Sequence, residues 1–311
     1  MIVAVSPAPE QTRARYPDET GHIERGGVQV SWERYGSGDR TILLLPTWSI
    51  IHSRHWKAQI PFLARHWRVL TFDGRGNGRS DRPADAAAYA DTEFVADAVA
   101  VMDATQTERA VIVGVSMGAG YALRLAAEHP DRVEAAVFEA PAILLDDPEP
   151  DARNTPPDVP LDHYEGWGKY NYTYWRRDYR DFAEFFFGTC FSEPHSTKQI
   201  EDCVGWALEI GPETLILTDV AAYLEGTGSA PAPGRTAALA RSLAARVRCP
   251  TLVIQGGDDR IVGVDRGVDL AALLGSTLVR LEGAGHIPGA RHPVRFNLAL
   301  RDFITTLDRG T

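Results

Sequence analysis

One serine stands where its hydroxyl group could act as a nucleophile. Ser116 lies between Gly114 and Gly118 in the pattern G-x-S-x-G. The apolar run Ala110–Val115 precedes it and a helical pattern follows, so the chain must turn sharply from strand to helix. Residues two before and two after the serine must be small, because larger side chains would collide. Such a turn exposes the hydroxyl and directs N–H groups of the new helix at a developing oxyanion.

The same glycines have an alternative interpretation, a βα turn that binds phosphate or only redirects the chain. Neither G-x-G-x-x-G nor G-x-x-x-x-G-K-[ST], the two common phosphate-binding patterns, occurs at this position. The pattern therefore favours acyl transfer by an activated serine.

A serine hydroxyl is a weak nucleophile unless a base removes its proton, and that base needs an orienting partner. Among nine histidines, His286 follows a late strand and a turn of small residues, 283–285. That turn gives the loop freedom to bring the imidazole over the sheet edge. His292 is the nearest rival, but it precedes a proline at a predicted helix start and is more simply a surface or capping residue. His163 and His195 are predicted to lie on the surface.

A carboxylate directly after a strand could orient the imidazole through Nδ1. The strand pattern Thr251–Gln255 leads into Asp258 and Asp259. Asp259 is the better candidate, because the Arg-Ile-Val after it can pack back against the sheet. Asp258 could instead cap a turn or face solvent, and Glu139, at the end of another strand, is a third candidate. A solvated acidic turn is a further interpretation of the two aspartates.

Short apolar runs alternate with helical patterns through most of the chain. Such runs are typical of strands buried on both faces. The alternation predicts an α/β fold with a mostly parallel, doubly wound sheet. The predicted strands are residues 28–35, 41–45, 68–72, 110–115, 134–139, 251–255 and 277–281, and the predicted helices are residues 92–104, 117–129, 265–274 and 293–307.

The alternation is interrupted in the middle of the chain, which indicates an insertion into a discontinuous core. We therefore predict an N-terminal tail at residues 1–24, a core at residues 25–145 and 240–311, and an inserted, mainly helical cap at residues 146–239. Residues 226–235 are rich in glycine, alanine and proline and predict a flexible link.

The predicted cap is crowded with aromatic residues. We expect most of them to form the cap's own small core and a subset to line a mostly apolar pocket. They are Tyr164, Trp167, Tyr170, Tyr172, Tyr174, Trp175, Tyr179, Phe182, Phe185, Phe186 and Phe187.

Composition restricts the classes of partner. The formal net charge of −10, with no long run of either sign, gives a surface that repels phosphate backbones, so nucleic acid is not expected to bind. No apolar stretch is long enough to cross a bilayer, and the N-terminus lacks a signal-peptide pattern. Cys190, Cys203 and Cys249 form no metal-ligand pattern, which favours reduced thiols in a cytoplasmic protein that uses no metal or other cofactor. The oligomeric state stays open, with a homodimer as one option.

Five segments carry a resemblance to a known family. They are Leu43–Trp48, DGRGNGRSDRP at residues 73–83, GVSMG around Ser116, QGGDDRIV at residues 255–262 and GAGH at residues 283–286. In this order they resemble the α/β-hydrolase fold family, in its esterase, enol-lactonase and cofactor-free haloperoxidase branch. The resemblance implies the chain order serine, acid, histidine, which Ser116, Asp259 and His286 follow.

The resemblance also implies an oxyanion hole formed by the backbone N–H groups of Met117 and Trp48. Relatives carry His-Gly where this chain has Pro46-Thr47, and threonine resists a positive φ, so this loop could follow a different path. Trp48 could also be a core aromatic whose ring lines the pocket. We interpret Asp73–Ser80 as a structural loop without a catalytic role.

These residues together predict a serine hydrolase that cleaves an ester or lactone of a small, largely apolar acyl substrate through an acyl-enzyme. One alternative keeps the triad in an acyltransferase or thioesterase of a biosynthetic pathway. Another is a relative that binds a ligand without turnover. Dehalogenases and epoxide hydrolases normally place aspartate at this strand-to-helix turn, the nucleophile elbow, so Ser116 argues against both.

Overall fold

The computed structural model describes residues 13–146, 157–221 and 236–308. Within them, one sheet is built from β1 (Glu19–Arg25), β2 (Val28–Tyr35), β3 (Thr41–Leu44), β4 (Arg68–Phe72), β5 (Ala110–Val115), β6 (Val133–Glu139), β7 (Thr251–Gly256) and β8 (Thr277–Leu281). The order across the sheet is β1-β2-β4-β3-β5-β6-β7-β8. Neighbours from β4 to β8 pair in parallel, whereas β2 pairs antiparallel with both β1 and β4. This arrangement confirms the predicted fold class.

The helices occupy both faces of the sheet. They are α1 (Ile60–Leu63), α2 (Asp91–Ala104), α3 (Met117–Glu128), α4 (Tyr172–Arg177), α5 (Tyr179–Cys190), α6 (Thr197–Ala221), α7 (Ala237–Ala244), α8 (Val264–Leu274), α9 (Pro288–Arg291) and α10 (Pro293–Leu307). Short 3₁₀ turns at Ser53–Ala58, Ala86–Tyr89, Pro130–Arg132 and Gly166–Lys169 connect some of them.

The central strands are apolar because both of their faces are covered. β3 and β5 are buried at every residue. Successive residues point to opposite faces, so Ile42 joins one hydrophobic cluster and Leu43 joins the other. The cluster around Ile42 contains α10 and the aromatic residues between β6 and β7, and the cluster around Leu43 contains α2, α3, α7 and α8. The sheet is therefore a rigid platform from whose carboxyl ends loops can project.

The first strand corrects the predicted tail at residues 1–24. Residues 19–24 belong to β1, which forms a hairpin with β2 around Gly26 and Gly27. Both glycines have positive φ, 60° and 76°, as a two-residue hairpin turn requires. β1 lies at the sheet edge and none of its residues is fully buried, so its polar sequence ETGHIER lacks the apolar alternation of an inner strand. Residues 1–12 lie outside the described residues.

Helices α4, α5 and α6 lie between β6 and β7, as predicted for an inserted, mainly helical cap. Helix α6 is interrupted at Gly211, which has a φ of 75° and is followed by Pro212. The predicted link at residues 226–235 and most of the proline-rich stretch at 146–160 lie outside the described residues. Among the described helices, none combines the length and the apolar composition needed to span a bilayer.

Candidate active site

Ser116 occupies the junction between β5 and α3 with a strained backbone, φ 54° and ψ −116°. The two flanking glycines are sterically required. A Cβ atom on Gly114 would lie 2.1 Å from the carbonyl oxygen of Gly118, and one on Gly118 would lie 2.4 Å from the carbonyl oxygen of Pro46. The strain is held by main-chain bonds, since Ser116 N–H donates to the carbonyl of Glu139 at 2.9 Å. The predicted elbow geometry is therefore present.

The imidazole of His286 reaches Ser116 from the loop after β8. Its Nε2 lies 3.0 Å from Ser116 Oγ, and the side chain is almost completely buried. The cap fixes this loop, because His286 N–H donates to the carbonyl of Cys190 at the end of α5 and Gly285 N–H donates to Glu193 Oε1, each at 2.8 Å. A Cβ atom on Gly285 would lie 2.5 Å from the Cys190 oxygen, so the small residue permits the close approach.

Asp259 is the carboxylate that contacts the imidazole. Its Oδ2 lies 2.9 Å from His286 Nδ1 and accepts a hydrogen bond from Gln255 Nε2 at 3.0 Å. Its Oδ1 accepts the N–H groups of Ile261 and Val262 at 2.9 and 3.1 Å. Burial opposes ionisation of Asp259, but His286 and the two N–H groups outweigh it, so the pKa of Asp259 lies below its ordinary value. The geometry thus joins the three residues in the order hydroxyl, imidazole, carboxylate.

The alternative acids do not contact His286. Asp258 is exposed, although its N–H donates to the Ala284 carbonyl at 2.8 Å. Glu139 is fully buried, and its Oε1 instead accepts the N–H group of Gly289 at 2.6 Å. Burial raises the pKa of Glu139 to about 8, against the lowering effect of that N–H group. Neither residue therefore takes the place of Asp259 at His286 Nδ1.

The other histidines considered in the sequence lie elsewhere. His292 Nε2 is 3.3 Å from Glu193 Oε1, away from Ser116. His163 and His195 are exposed, as predicted. Among the described residues, no group of three His, Cys, Asp or Glu side chains is arranged to hold a metal ion.

The loop before Trp48 packs directly on the elbow. Thr47 does not take a positive φ, and its hydroxyl donates to the carbonyl of Val115 at 2.8 Å and lies 3.5 Å from the N–H of Gly118. The N–H groups of Trp48 and Met117 donate to no acceptor in the part of the chain that the structure describes. Thr47 is thus accommodated without a positive φ, and both N–H groups remain available for a ligand.

The ring of Trp48 lies among aromatic side chains of the cap. It stacks on Tyr170 with 6.0 Å between ring centroids and meets the edge of Phe186 at 5.3 Å. Tyr170 and Tyr172 both donate their hydroxyls to Asp219, the latter at 2.7 Å. Most cap aromatics belong to one cluster with the apolar face of the sheet, so they form a joint core rather than a separate one for the cap.

The side chains of the loop Asp73–Ser80 bind neighbouring groups, which is consistent with the structural role interpreted from the sequence. Asp73 accepts hydrogen bonds from Ser53 Oγ at 2.6 Å and from the N–H of Arg79 at 2.9 Å. Arg75 is buried and pairs with Asp97. These side chains bind backbone and neighbouring side chains, and none of them reaches Ser116.

Three supporting residues were not identified from the sequence: Gln255, Glu193 and Cys190. Gln255 supports Asp259, whereas Glu193 and the main chain of Cys190 hold the histidine loop. Of these, only Gln255 carried a local signal, a buried amide at the end of an apolar strand four residues before Asp259. The others contact the site through the fold, across long stretches of sequence.

A family model described as the alpha/beta hydrolase fold matches residues 40–293. The chain is 45% identical over 84 residues to 2-hydroxymuconate semialdehyde hydrolase of Pseudomonas sp. strain CF600, covering 27% of this chain and 29% of that protein. It is 36% identical over 114 residues to putative carbamate hydrolase RutD of Caulobacter segnis, covering 37% and 42%. It is 42% identical over 83 residues to epoxide hydrolase B of Mycobacterium tuberculosis, covering 26% and 23%. Each match spans less than half of the relative's own length.

Solved structures resemble the chain over nearly its whole length. Est816, described as an N-acyl homoserine lactone degrading enzyme, has a TM-score of 0.72 and 25% identity, covering 91% of this chain and 100% of that one. The bromoperoxidase of Bacillus anthracis has a TM-score of 0.73 and 22% identity, covering 92% and 100%. The enol-lactonase of Burkholderia xenovorans LB400 has a TM-score of 0.71 and 21% identity, also covering 92% and 100%. The last two show the shared fold alone.

Proposed function

The chain belongs to the α/β-hydrolase fold family, and from this premise we propose that it is a serine hydrolase that cleaves an ester or lactone of a small, largely apolar substrate. The observation that carries the proposal is the contact of His286 with both Ser116 Oγ and Asp259 Oδ2, at 3.0 and 2.9 Å. This is the arrangement that an activated serine needs.

In the first half-reaction, Ser116 Oγ attacks the acyl carbonyl carbon while His286 Nε2 accepts the hydroxyl proton. Asp259 stabilises the resulting imidazolium through Nδ1–H, and its lowered pKa favours the charged form that this role requires. When the tetrahedral intermediate collapses, the imidazolium returns the proton to the leaving oxygen. The product is an acyl ester of Ser116 and a free alcohol, or one linear molecule when the substrate is a lactone.

We assign the oxyanion to the N–H groups of Met117 and Trp48. Met117 begins α3, so its N–H lies at the positive end of the helix dipole. Thr47 ties the loop that carries Trp48 to the strand and helix that flank Ser116. Donors fixed before the reaction stabilise developing charge without a cost of reorganisation.

In the second half-reaction, a water molecule gives one proton to His286 Nε2 and attacks the acyl carbonyl carbon. The Ser116 oxygen then leaves and takes that proton back, which releases the carboxylic acid and restores the enzyme. Every proton transfer therefore uses the same imidazole nitrogen.

Two features support an apolar acyl or lactone substrate. The aromatic cap residues reach the oxyanion loop at Trp48, and the hydroxyls of Tyr170 and Tyr172 are engaged by Asp219. Est816, whose described activity is degradation of N-acyl homoserine lactones, is similar to 91% of this chain. The partial similarity to an epoxide hydrolase does not extend the proposal to epoxides, because that chemistry normally places aspartate where this chain has Ser116. We also propose that residues 146–239 act as the cap that encloses this substrate.

The proposal is tested by labelling with a fluorophosphonate and by turnover of p-nitrophenyl esters and lactones of graded acyl length. We expect one label on Ser116, none on Ser116→Ala, and turnover that varies with acyl length. A folded wild-type protein that takes up no label would refute the proposal. Product analysis with added alcohols distinguishes hydrolysis from acyl transfer. Equal ligand affinity in wild type and Ser116→Ala, with turnover in neither, would indicate a receptor.

A further inference from the structure

Glu139 makes contacts on both sides of the candidate site. We propose that it is a positioning residue that holds residues 286–289, the histidine segment, in place relative to the nucleophile elbow at Ser116. The inference rests on the proposed function, because it concerns the placement of His286 relative to Ser116. It assigns to Glu139 a role different from that of the triad acid.

The first contact is made by the main chain. Glu139 ends β6, which lies between β5 and β7 in the sheet. Its carbonyl oxygen accepts the N–H of Ser116 at 2.9 Å, and the next residue, Ala140, donates its N–H to Ile254 at 2.9 Å. Ala140 has a φ of 42°, unusual for a residue with a side chain. The end of β6 is thus fixed to the elbow on one side and to the acid-bearing strand on the other.

The second contact is made by the carboxyl group. Glu139 Oε1 accepts the N–H of Gly289, which lies three residues after His286 in α9, at 2.6 Å. Gln59 Nε2 donates to the carbonyl of the same glycine at 2.7 Å. A Cβ atom on Gly289 would lie 2.9 Å from Glu139 Oε1, so only glycine fits without a shift. Two buried side chains therefore grip both polar groups of one residue behind the histidine.

The hydrogen-bond network continues into α10, but two of its polar atoms have no partner. Gln59 Nε2 also lies 3.2 Å from Asn297 Oδ1, and Asn297 Nδ2 donates to the carbonyl of Ala58 at 3.0 Å. Glu139 Oε2 and Gln59 Oε1 have no hydrogen-bond partner among the described residues. Buried polar atoms without partners cost stability, and apolar side chains would fill the space more cheaply. The network is therefore better explained by the position that it enforces than by the stability that it adds.

Burial favours the neutral form of the Glu139 carboxyl group. Burial raises its pKa to about 8, and among the described residues no positively charged side chain lies within ion-pair distance of it. The ionisable groups of the surrounding elements have other partners or environments. His286 pairs with Asp259, Lys57 with Asp202 and His292 with Glu193, and Arg291 donates to the carbonyl of Pro194. Arg295 is exposed, and burial lowers the pKa of His55 to about 3. Ionisation above about pH 8 would leave an unpaired buried charge behind the histidine segment. We therefore expect activity to decline as this group ionises.

The test compares kcat and KM of wild type, Glu139→Gln and Glu139→Leu on one p-nitrophenyl ester between about pH 6 and 10. The amide retains an oxygen for Gly289 N–H and cannot ionise, whereas leucine keeps the approximate volume and loses the acceptor. Glu134→Gln, on the same strand but paired with Arg40 near the surface, is the matched control.

We expect Glu139→Leu to lower kcat by about tenfold to a hundredfold with little change in KM, since a small misplacement of the base affects the chemical step. Glu139→Gln should retain kcat within about threefold near pH 7 and lack the alkaline decline of wild type. A wild-type kcat in Glu139→Leu, or an unchanged alkaline decline in Glu139→Gln, would overturn the inference. Should the leucine variant not fold, the glutamine profile decides alone.

The two proposals fail in different ways. If wild type is not labelled by fluorophosphonate and has no turnover, the proposed function fails before Glu139 is tested. If wild type is labelled and active but the Glu139 variants match Glu134→Gln at every pH, only the positioning role is lost.

Discussion

The carboxyl edge of the sheet and the cap hold their residues in different ways. At the edge, Ser116, Asp259 and His286 are placed by main-chain hydrogen bonds and by glycines that leave no space for a Cβ atom. In the cap, aromatic rings pack against one another, and a bond such as Ser49 Oγ to Thr218 Oγ1, at 2.7 Å, ties them to the core. Hydrogen bonds and close backbone approaches leave little freedom at the edge, whereas ring packing tolerates changes of shape. In the proposed function, the chemical step depends on the edge and the choice of substrate depends on the cap.

The largest expected effect comes from removing the nucleophile at the rigid edge. We expect Ser116→Ala to reduce kcat by about a millionfold, because the substitution removes the attacking oxygen. Ester turnover is measured alongside Ser37→Ala, which alters an exposed serine distant in sequence and should behave as wild type. Residual activity within about tenfold of wild type would mean that the edge does not carry the chemistry.

Two adjacent aspartates allow a sharper test of the same edge. Asp259→Asn should lower kcat by about a thousandfold to ten-thousandfold, because the amide disfavours the required tautomer of His286. Asp258→Asn changes an exposed side chain and should stay within about twofold. Steady-state kinetics of both variants at one pH are sufficient, and equal losses in the two would contradict the assignment of the acid.

The rigidity of the edge also has a signature in pH-dependent stability. The pKa of Glu139 is raised to about 8 from its unfolded value of about 4.5, so the folded state binds more protons between these pH values. The stabilisation is complete below the lower value and is lost as pH rises through the higher one. Glu139→Gln should lack this dependence. As pH rises from about 4.5 to above about 8, the free energy of unfolding of wild type should therefore fall by a few kcal/mol relative to that of the variant. Urea titrations at several pH values measure it, and parallel curves for the two proteins would contradict it.

Thr47 tests how tightly the oxyanion loop is bound to the edge. Thr47→Val keeps the shape and removes the hydrogen bond to Val115, so we expect kcat to fall about tenfold with KM nearly unchanged. Thr47→Ser retains the hydroxyl and should restore most of the rate. A boronic acid inhibitor should lose affinity in parallel with kcat, and unchanged inhibition in the valine variant would count against a role in the oxyanion hole.

The smallest effect is expected where the cap meets the core. Ser49→Ala removes the bond to Thr218, whose hydroxyl still bonds to Leu215 at 2.8 Å, so no hydroxyl of the pair is left unsatisfied. We expect a loss of stability of about 1 kcal/mol and a change in KM larger than that in kcat. Thermal unfolding and a panel of acyl lengths measure both. A tenfold loss in kcat at constant KM would remove the distinction between the two regions.

The bounds of β2, β4, β5 and β8 match the predicted runs. β5 is buried at every residue and carries a continuous apolar run, whereas β2 alternates between more and less buried residues, and the sequence shows both patterns. The edge strand β1 was missed because its side chains are at least partly exposed and polar, so no periodicity marks it. β8 also lies at a sheet edge, but its β-branched and apolar residues carry a strand signal that the polar sequence of β1 lacks.

The candidate site was predictable in its parts and not in its connections. The G-x-S-x-G pattern and the small residues before His286 carry local steric requirements, and the structure brings Ser116, His286 and Asp259 together as expected. The sequence could rank the three candidate acids, but only the distance to His286 Nδ1 decides among them. The contact of Glu139 with Gly289 joins positions 150 residues apart, and no local pattern predicts it.

Trp48 belongs to both regions at once. Its amide lies on the loop bound to the elbow, and its indole ring lies against Tyr170, Trp175 and Phe186. A displacement of these rings would therefore be transmitted through one residue to a group that faces the reacting carbonyl in the proposed mechanism. Engineering the enclosure for a bulkier compound would then alter the turnover rate as well as the affinity, and replacements near this indole should be selected for speed and fit together.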